Sequence, residues 1–184
     1  MGKAGAGALQ LSVANAITLV LSMATTMLLA HFRTLEEYGT YSQLLLVTNI
    51  TLSIFMLGLP SSVNYFLAKA ESAEQRRRFL SVYYTLSTAA SALLGLILVL
   101  AVPLFEAYFD NPALRAFLYF FAVYPWASVI RSSLNGLLVV YRKVPFLVAF
   151  QIVQASLTLG AVVLVQALGW TFGAFLGIVT LLQA

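Results

Sequence analysis

The chain has no cysteine, a single histidine and very little charge: Asp, Glu, Lys and Arg together make up 9% of its 184 residues. Without cysteine there can be no disulfide framework, thiol nucleophile or thiolate metal site. His31 has no second ligand at metal spacing, so an interfacial side chain is expected and no metal centre. The scarcity of charge has the largest consequence. Soluble domains carry about 25% charged residues; a chain that is 61% hydrophobic, with mean hydropathy +0.95, has no surface to present to water. Also missing are a Ser/His/Asp set, a G-x-G-x-x-G turn, a P-loop and paired carboxylates inside the apolar runs. No enzyme, cofactor or metal is expected.

Long apolar runs are what the chain does have. Six stretches stand out, at about 8–30, 41–68, 79–102, 114–140, 146–168 and 171–184. The first five exceed the ~20 residues needed to cross a ~30 Å hydrocarbon core. Backbone groups in lipid must be satisfied within the segment, so these runs are helices. The expected fold class is all-α: a polytopic membrane helical bundle of six transmembrane helices. The first run is long, studded with Ser, Asn and Thr, and lacks a small-x-small cleavage site, which favours a retained helix over a removable signal peptide.

Basic residues set the expected orientation. Lys3, Lys69, Arg76, Arg77, Arg78, Arg142 and Lys143 lie at the N-terminus and on the second and fourth connections, whereas the first, third and fifth connections hold only Arg33 and Arg115. That bias places the N-terminus and the even connections in the cytoplasm. The net charge of +4 is then topological, and no nucleic-acid partner is implied. Tyr38, Tyr41, Tyr108 and Trp170 fall near the outer ends of helices, where aromatic belts form.

The connections are short. Residues 70–78 suit a short interfacial helix running into the third span, Asp110-Asn111-Pro112 reads as a turn, and Pro145 opens the fifth span at a tolerated first-turn position. Gly58-Leu59-Pro60 and Pro125 are expected to kink or loosen the second and fourth spans. The sixth stretch has only fourteen residues, and truncation of a longer chain is expected. Gly169, Gly173 and Gly177 form a small-xxx-small ladder on it, for which packing within the bundle is the ordinary use and a homodimer the alternative.

Arg131 is the one ionisable residue deep in a span. It precedes Arg142 by eleven residues, roughly 16 Å at ~1.5 Å each, which is near the midplane. Side chains lean toward the helix N-terminus, here the far side, so Arg131 cannot easily snorkel to the nearer water. Holding it there costs ~2.5–3.5 kcal/mol on insertion scales. A water-filled cavity, a polar partner or an anionic substrate must offset that cost. Tyr124, Ser128, Ser132 and Asn135 share its helix face at spacings of three and four. Weaker polar stripes run through Asn15, Thr18, Ser22 and Thr25 on the first span, and Ser42, Asn49 and Ser53 on the second. The third carries Ser81, Thr85, Thr88 and Ser91, and the fifth Gln151, Gln154 and Thr158. For any single Ser or Thr, helix–helix hydrogen bonding is the competing explanation. The substrate-binding candidates are Arg131, Asn135, Ser128, Ser132, Tyr124, Asn15, Asn49, Gln151 and Gln154.

The stretch Arg33-Thr34-Leu35-Glu36-Glu37-Tyr38-Gly39-Thr40-Tyr41 resembles the segment joining the first two helices of bacterial polysaccharide flippases. These belong to the multidrug/oligosaccharidyl-lipid/polysaccharide exporter superfamily. Gly58-Leu59 followed by Tyr65-Phe66-Leu67-Ala68, the Glu/Arg-rich segment into the third span, and Gly136-Leu137-Leu138 before Arg142 match in order and spacing, from about residue 8 to the end. The resemblance implies one lobe of a two-lobe, V-shaped exporter, six helices per lobe, working by alternating access in the bacterial cytoplasmic membrane. The other, C-terminal lobe would be its partner. The implied substrate is a polyprenyl-pyrophosphate-linked oligosaccharide, moved between leaflets for cell-surface polysaccharide synthesis, with Arg131 as the cationic cavity residue; membrane lipids are the surrounding partner. A multidrug antiporter would want an intramembrane carboxylate, which these spans lack. A lipid II flippase is expected to carry cavity arginines on its first two helices, where only Arg33 stands, at the outer end. A non-transporting scaffold leaves Arg131 unexplained.

Overall fold

The computed structural model describes residues 3–55, 65–67, 69, 72–141 and 143–183, all helical apart from short turns and caps. In chain order the elements are α1 (Lys3–Phe32), α2 (Leu35–Phe55), α3 (Ala73–Leu100), α4 (Val102–Phe109), a 3-10 turn (Pro112–Phe117), α5 (Leu118–Val140), α6 (Val144–Ala167) and α7 (Phe172–Gln183). Among the described residues there is no strand, and the all-α class is as expected.

Four helical stretches are long and apolar enough to cross a membrane: Leu9–Phe32, Ala73–Leu100, Pro112–Val140 and Val144–Ala167. They correspond to the first, third, fourth and fifth expected spans. The second and sixth are not added to them. As described, α2 opens with Glu36, Glu37 and a run of polar residues, and α7 is 12 residues long. The expected kink at Gly58-Leu59-Pro60 lies outside the described residues, as do Ala68, Ala70, Glu71, Arg142 and Ala184. In the first and fifth spans only 17% of the apolar window is buried inside the molecule. Their remaining apolar surface faces outward, as lipid-exposed helices require.

Polar connectors start two of the helices before the apolar runs do. The Glu37 backbone N–H donates to Thr34 Oγ1 at 3.2 Å, and the Thr34 N–H donates to Glu37 Oε2 at 3.4 Å. This reciprocal capping box starts α2 at Leu35, six residues before the expected position. Likewise Ser72 Oγ accepts the Gln75 N–H at 3.1 Å and caps α3, so Arg76, Arg77 and Arg78 lie in the first turns of one continuous helix. Pro145 sits in the first turn of α6, as its lack of an N–H allows. Pro125 is buried inside α5, which runs through it as one helix.

Helix α4 was not anticipated. It follows Ala101, with Pro103 in its first turn, and ends at Asp110, which adopts the left-handed conformation at φ 50°. Val102 is buried, Phe105 and Phe109 pack on the core, and Glu106 holds Arg115 at 2.9 Å. Asn111 then ties this turn to α2: its Nδ2 donates to Thr40 Oγ1 (2.9 Å) and Gln43 Oε1 (2.6 Å), while its Oδ1 accepts the Ala113 N–H (3.1 Å). Arg33 Nη2 donates to the Trp170 carbonyl at 3.2 Å. The first, third and fifth connections therefore meet at one end, called here the Trp170 end.

Two helix pairs carry the packing, α1 with α6 and α3 with α5; α7 packs on both α5 and α6, and α2 on α5. Lipid gives no hydrophobic drive for helices to associate, so close backbone approach matters. It occurs at Gly95 of α3, where a Cβ would stand 2.7 Å from the Ala122 carbonyl oxygen of α5. The Gly169/Gly173/Gly177 ladder is not such a contact. Gly169 is a turn residue at φ +64°, an added Cβ at Gly173 would meet only ordinary contacts, and nothing lies within 4 Å of one at Gly177.

The core lies toward the Trp170 end. Leu29, Leu94, Leu98, Leu114, Phe120, Phe121, Val162, Val165, Phe172 and Phe175 form it, joined by Leu44 and Val47 of α2. A smaller cluster at the opposite end holds Leu67 and Tyr83 with Phe79, Leu80, Leu137 and Val140. It joins α3 to α5, with Leu67 of the 65–67 stretch packed beside them. The α1/α6 pair is left apart from α5 through the middle of the bundle, and a cavity opens there.

Candidate functional site

The cavity has a volume of about 730 Å³ and is partly open. Helix α1 contributes Asn15, Thr18, Ser22, Thr25 and Thr26; α5 contributes Ser128, Arg131, Ser132 and Asn135; α6 contributes Gln151, Gln154 and Thr158. These are the polar stripes of three helices, brought together because α1 pairs with α6 and turns its stripe toward α5. Tyr41 and Leu45 of α2 close the space toward the Trp170 end. The Tyr41 ring meets Phe175 edge-on at 5.6 Å.

Seven of the nine candidate residues line this space: Arg131, Asn135, Ser128, Ser132, Asn15, Gln151 and Gln154. Tyr124 and Asn49 stand apart from the lining. Tyr124 is buried in the core, its ring stacked on Phe120 at 4.6 Å, though near enough to interact electrostatically with Arg131 and Ser128. Asn49 is on the exposed face of α2, its carbonyl accepting from Ser53. The stripes of α2 and α3 are also absent from the cavity. The hydroxyls of Ser42, Thr85 and Ser91 donate to carbonyls of their own helices, the ordinary fate of Ser and Thr in a span.

Arg131 has neither hydrogen bond nor ion pair among the described residues, and no carboxylate lines the cavity. Its guanidinium therefore presents five N–H donors and a full positive charge to a space with no protein anion. Two neighbours are also unsatisfied. Asn135 Oδ1 and Gln151 Oε1 are shut off from solvent without a hydrogen-bond partner. Such orphans are rare in native proteins. Here both belong to residues that line one cavity. Gln154 is the exception in the lining, its Nε2 donating to the Leu182 carbonyl of α7 at 2.8 Å.

Sequence reasoning missed Tyr41 and Thr26. Tyr41 was read as a belt aromatic, and its inward turn depends on the neighbouring α7, which no local pattern in α2 reveals. Thr26 continues the line Thr18–Ser22 by a further four residues, so periodicity alone could have found it. A second pocket of about 510 Å³ lies at the opposite end, lined by Arg76, Arg77, Leu80, Ser81, Tyr84 and Tyr141.

Comparison of the chain with protein-family models, with characterised proteins and with solved structures gave no match.

Proposed function

We propose that this chain forms one lobe of a flippase for polyprenyl-pyrophosphate-linked oligosaccharides, with Arg131 as the cationic contact for the pyrophosphate. The observation that carries the proposal is the unpaired Arg131 in a polar cavity without a carboxylate. A guanidinium matches phosphate oxygens by bidentate hydrogen bonding, and a pyrophosphate supplies the charge that the protein withholds. The same arrangement disfavours a cation antiporter, which would bring a second positive charge into a site that already has one. On this proposal the chain has six spans, its N-terminus and the 69–78 segment face the cytoplasm of a bacterial cell, and the cavity is completed by a second lobe.

Arg131→Ala should abolish or sharply reduce surface polysaccharide in the native host while the protein stays in the membrane at its normal level. Arg131→Lys should keep part of the activity, because lysine retains the charge and loses the planar fork. Equal polysaccharide from wild type and alanine variant at equal protein level would rule Arg131 out as a substrate contact. Parallel loss of protein and polysaccharide would mark it as a structural brace.

A further inference from the structure

The second pocket, of about 510 Å³, lies where the start of α3 meets the end of α5. Helix α3 is 28 residues long, ~42 Å at ~1.5 Å per residue, and so outruns a ~30 Å hydrocarbon core by about two turns. Its charged residues, Glu74, Arg76, Arg77 and Arg78, all fall within 73–78, which puts the surplus length in the headgroup layer at this end. Arg76 and Arg77 line the pocket at that level. Leu80 and Ser81 follow one turn deeper, and Tyr84 stands two turns from Arg77, ~10 Å along the axis. Tyr141, the C-terminal cap residue of α5, lines it from the second helix. Arg77 has neither hydrogen bond nor ion pair among the described residues, and no Asp or Glu is among the described residues of the lining. Arg78 and Lys143 carry the same charge at the same end but are not part of the lining.

We infer that this pocket seats one anionic phospholipid of the surrounding bilayer: Arg76 and Arg77 hold its phosphate, while Leu80 and the rings of Tyr84 and Tyr141 receive the glycerol and the first acyl carbons. The grading from charge to apolar surface over ~10 Å carries the choice of occupant. Guanidinium groups pair with phosphate oxygens by charge-assisted hydrogen bonds. A phosphate joined to acyl chains meets both halves of the pocket, whereas a free phosphate ion leaves the apolar half in water. Basic pockets beside spans at a membrane face take anionic headgroups in this way. Diffuse attraction of a basic flank to anionic lipid would not distinguish Arg77 from Arg78; a built seat does. The seat is separate from the Arg131 cavity and independent of what that cavity carries.

The test is native mass spectrometry of the full chain released from a neutral detergent, with dioleoyl phosphatidylglycerol and dioleoyl phosphatidylcholine supplied in equal amounts. The first lipid retained by wild type should be the anionic one by about tenfold. Arg77→Gln should cut that preference about fivefold, the effect of one basic residue near a charged lipid surface. Arg78→Gln, which removes the same charge one residue away, should leave it unchanged. Ser81→Trp fills the pocket and keeps every charge; Ser81 is exposed and tryptophan is at home at the membrane interface, so the fold should survive and the preference should be lost. Equal losses in Arg77→Gln and Arg78→Gln would overturn the seat in favour of a diffuse basic flank. A preference that survives Ser81→Trp would place the lipid elsewhere and overturn it too. Displacement of the lipid by an equal concentration of glycerol 3-phosphate would show that phosphate alone suffices and overturn the lipid assignment. Equal retention of the two lipids by wild type would overturn the inference outright.

Discussion

Gly95 is where a single atom has the most leverage on this bundle. Gly95→Ala would place a Cβ at 2.7 Å from the Ala122 carbonyl oxygen, a backbone atom that cannot swing aside as a side chain does. Forcing α3 away from α5 should cost about 1–3 kcal/mol. Gly160→Ala is the matched control, since nothing lies within 4 Å of its added Cβ and alanine is the better helix former. Denaturant titration in mixed micelles should show a clear loss for the first and none for the second; equal behaviour would mean that the helices do not touch at Gly95. The buried Tyr83–Ser133 hydrogen bond at 2.9 Å joins the same two helices. Ser133 keeps its back-bond to the Val129 carbonyl without it, and intramembrane hydrogen bonds average ~0.6 kcal/mol. Tyr83→Phe should therefore cost less than Gly95→Ala. Packing, more than polar contact, holds this pair.

Among the helices, what the sequence made legible divides along a physical line. Apolar run length located the four long membrane-capable helices, because lipid imposes that length directly. Their starts were less legible, because the capping box at Thr34–Glu37 and the Ser72 cap on the Gln75 N–H extend α2 and α3 into polar sequence that hydropathy alone assigns to connections. Those pairs match the S/T-x-x-E/Q pattern and were readable. The polar stripes of α1, α5 and α6 predicted most of the cavity. Equivalent stripes on α2 and α3 do not reach it, because which stripe faces which is decided by helix pairing and not by period. Helix α4 escaped notice because eight residues ending in a turn carry too weak a periodic signal. The turn behind it hinges on Asn111, whose side chain bridges to Thr40 and Gln43 and caps Ala113. Asn111→Ala removes all three bonds and should cost about 1–3 kcal/mol. Asn111→Asp keeps the cap to Ala113 and should lose less in the same titration. If the two variants were equally damaging, the cap would have no part in the turn's stability.

Taken whole, the molecule is unequal end to end, and the inequality predicts a direction of access to the cavity. At the Trp170 end the core and the Tyr41–Phe175 contact seal the bundle; toward the opposite end the smaller cluster, among the described residues, joins α3 to α5 with Leu67 beside them. The basic bias of the sequence predicts that the opposite end is cytoplasmic. Under the flippase proposal these features predict an Arg131 cavity that communicates with the cytoplasmic side and is closed to the outside. The absence of cysteine allows the arrangement to be tested one thiol at a time. Ala116, in the exposed 3-10 turn, and Ser72, at the start of α3, report the two ends; Ser132 reports the cavity. In intact cells a membrane-impermeant maleimide should modify Ala116→Cys only, whereas inside-out vesicles should expose Ser72→Cys and Ser132→Cys. Labelling of Ser72→Cys in intact cells would reverse the orientation. Labelling of Ser132→Cys from the outside, with Ser72→Cys still protected, would leave the orientation intact and show that the Tyr41–Phe175 layer does not close the cavity. Tyr41→Ala should produce that second pattern by design, since it removes the ring that meets Phe175.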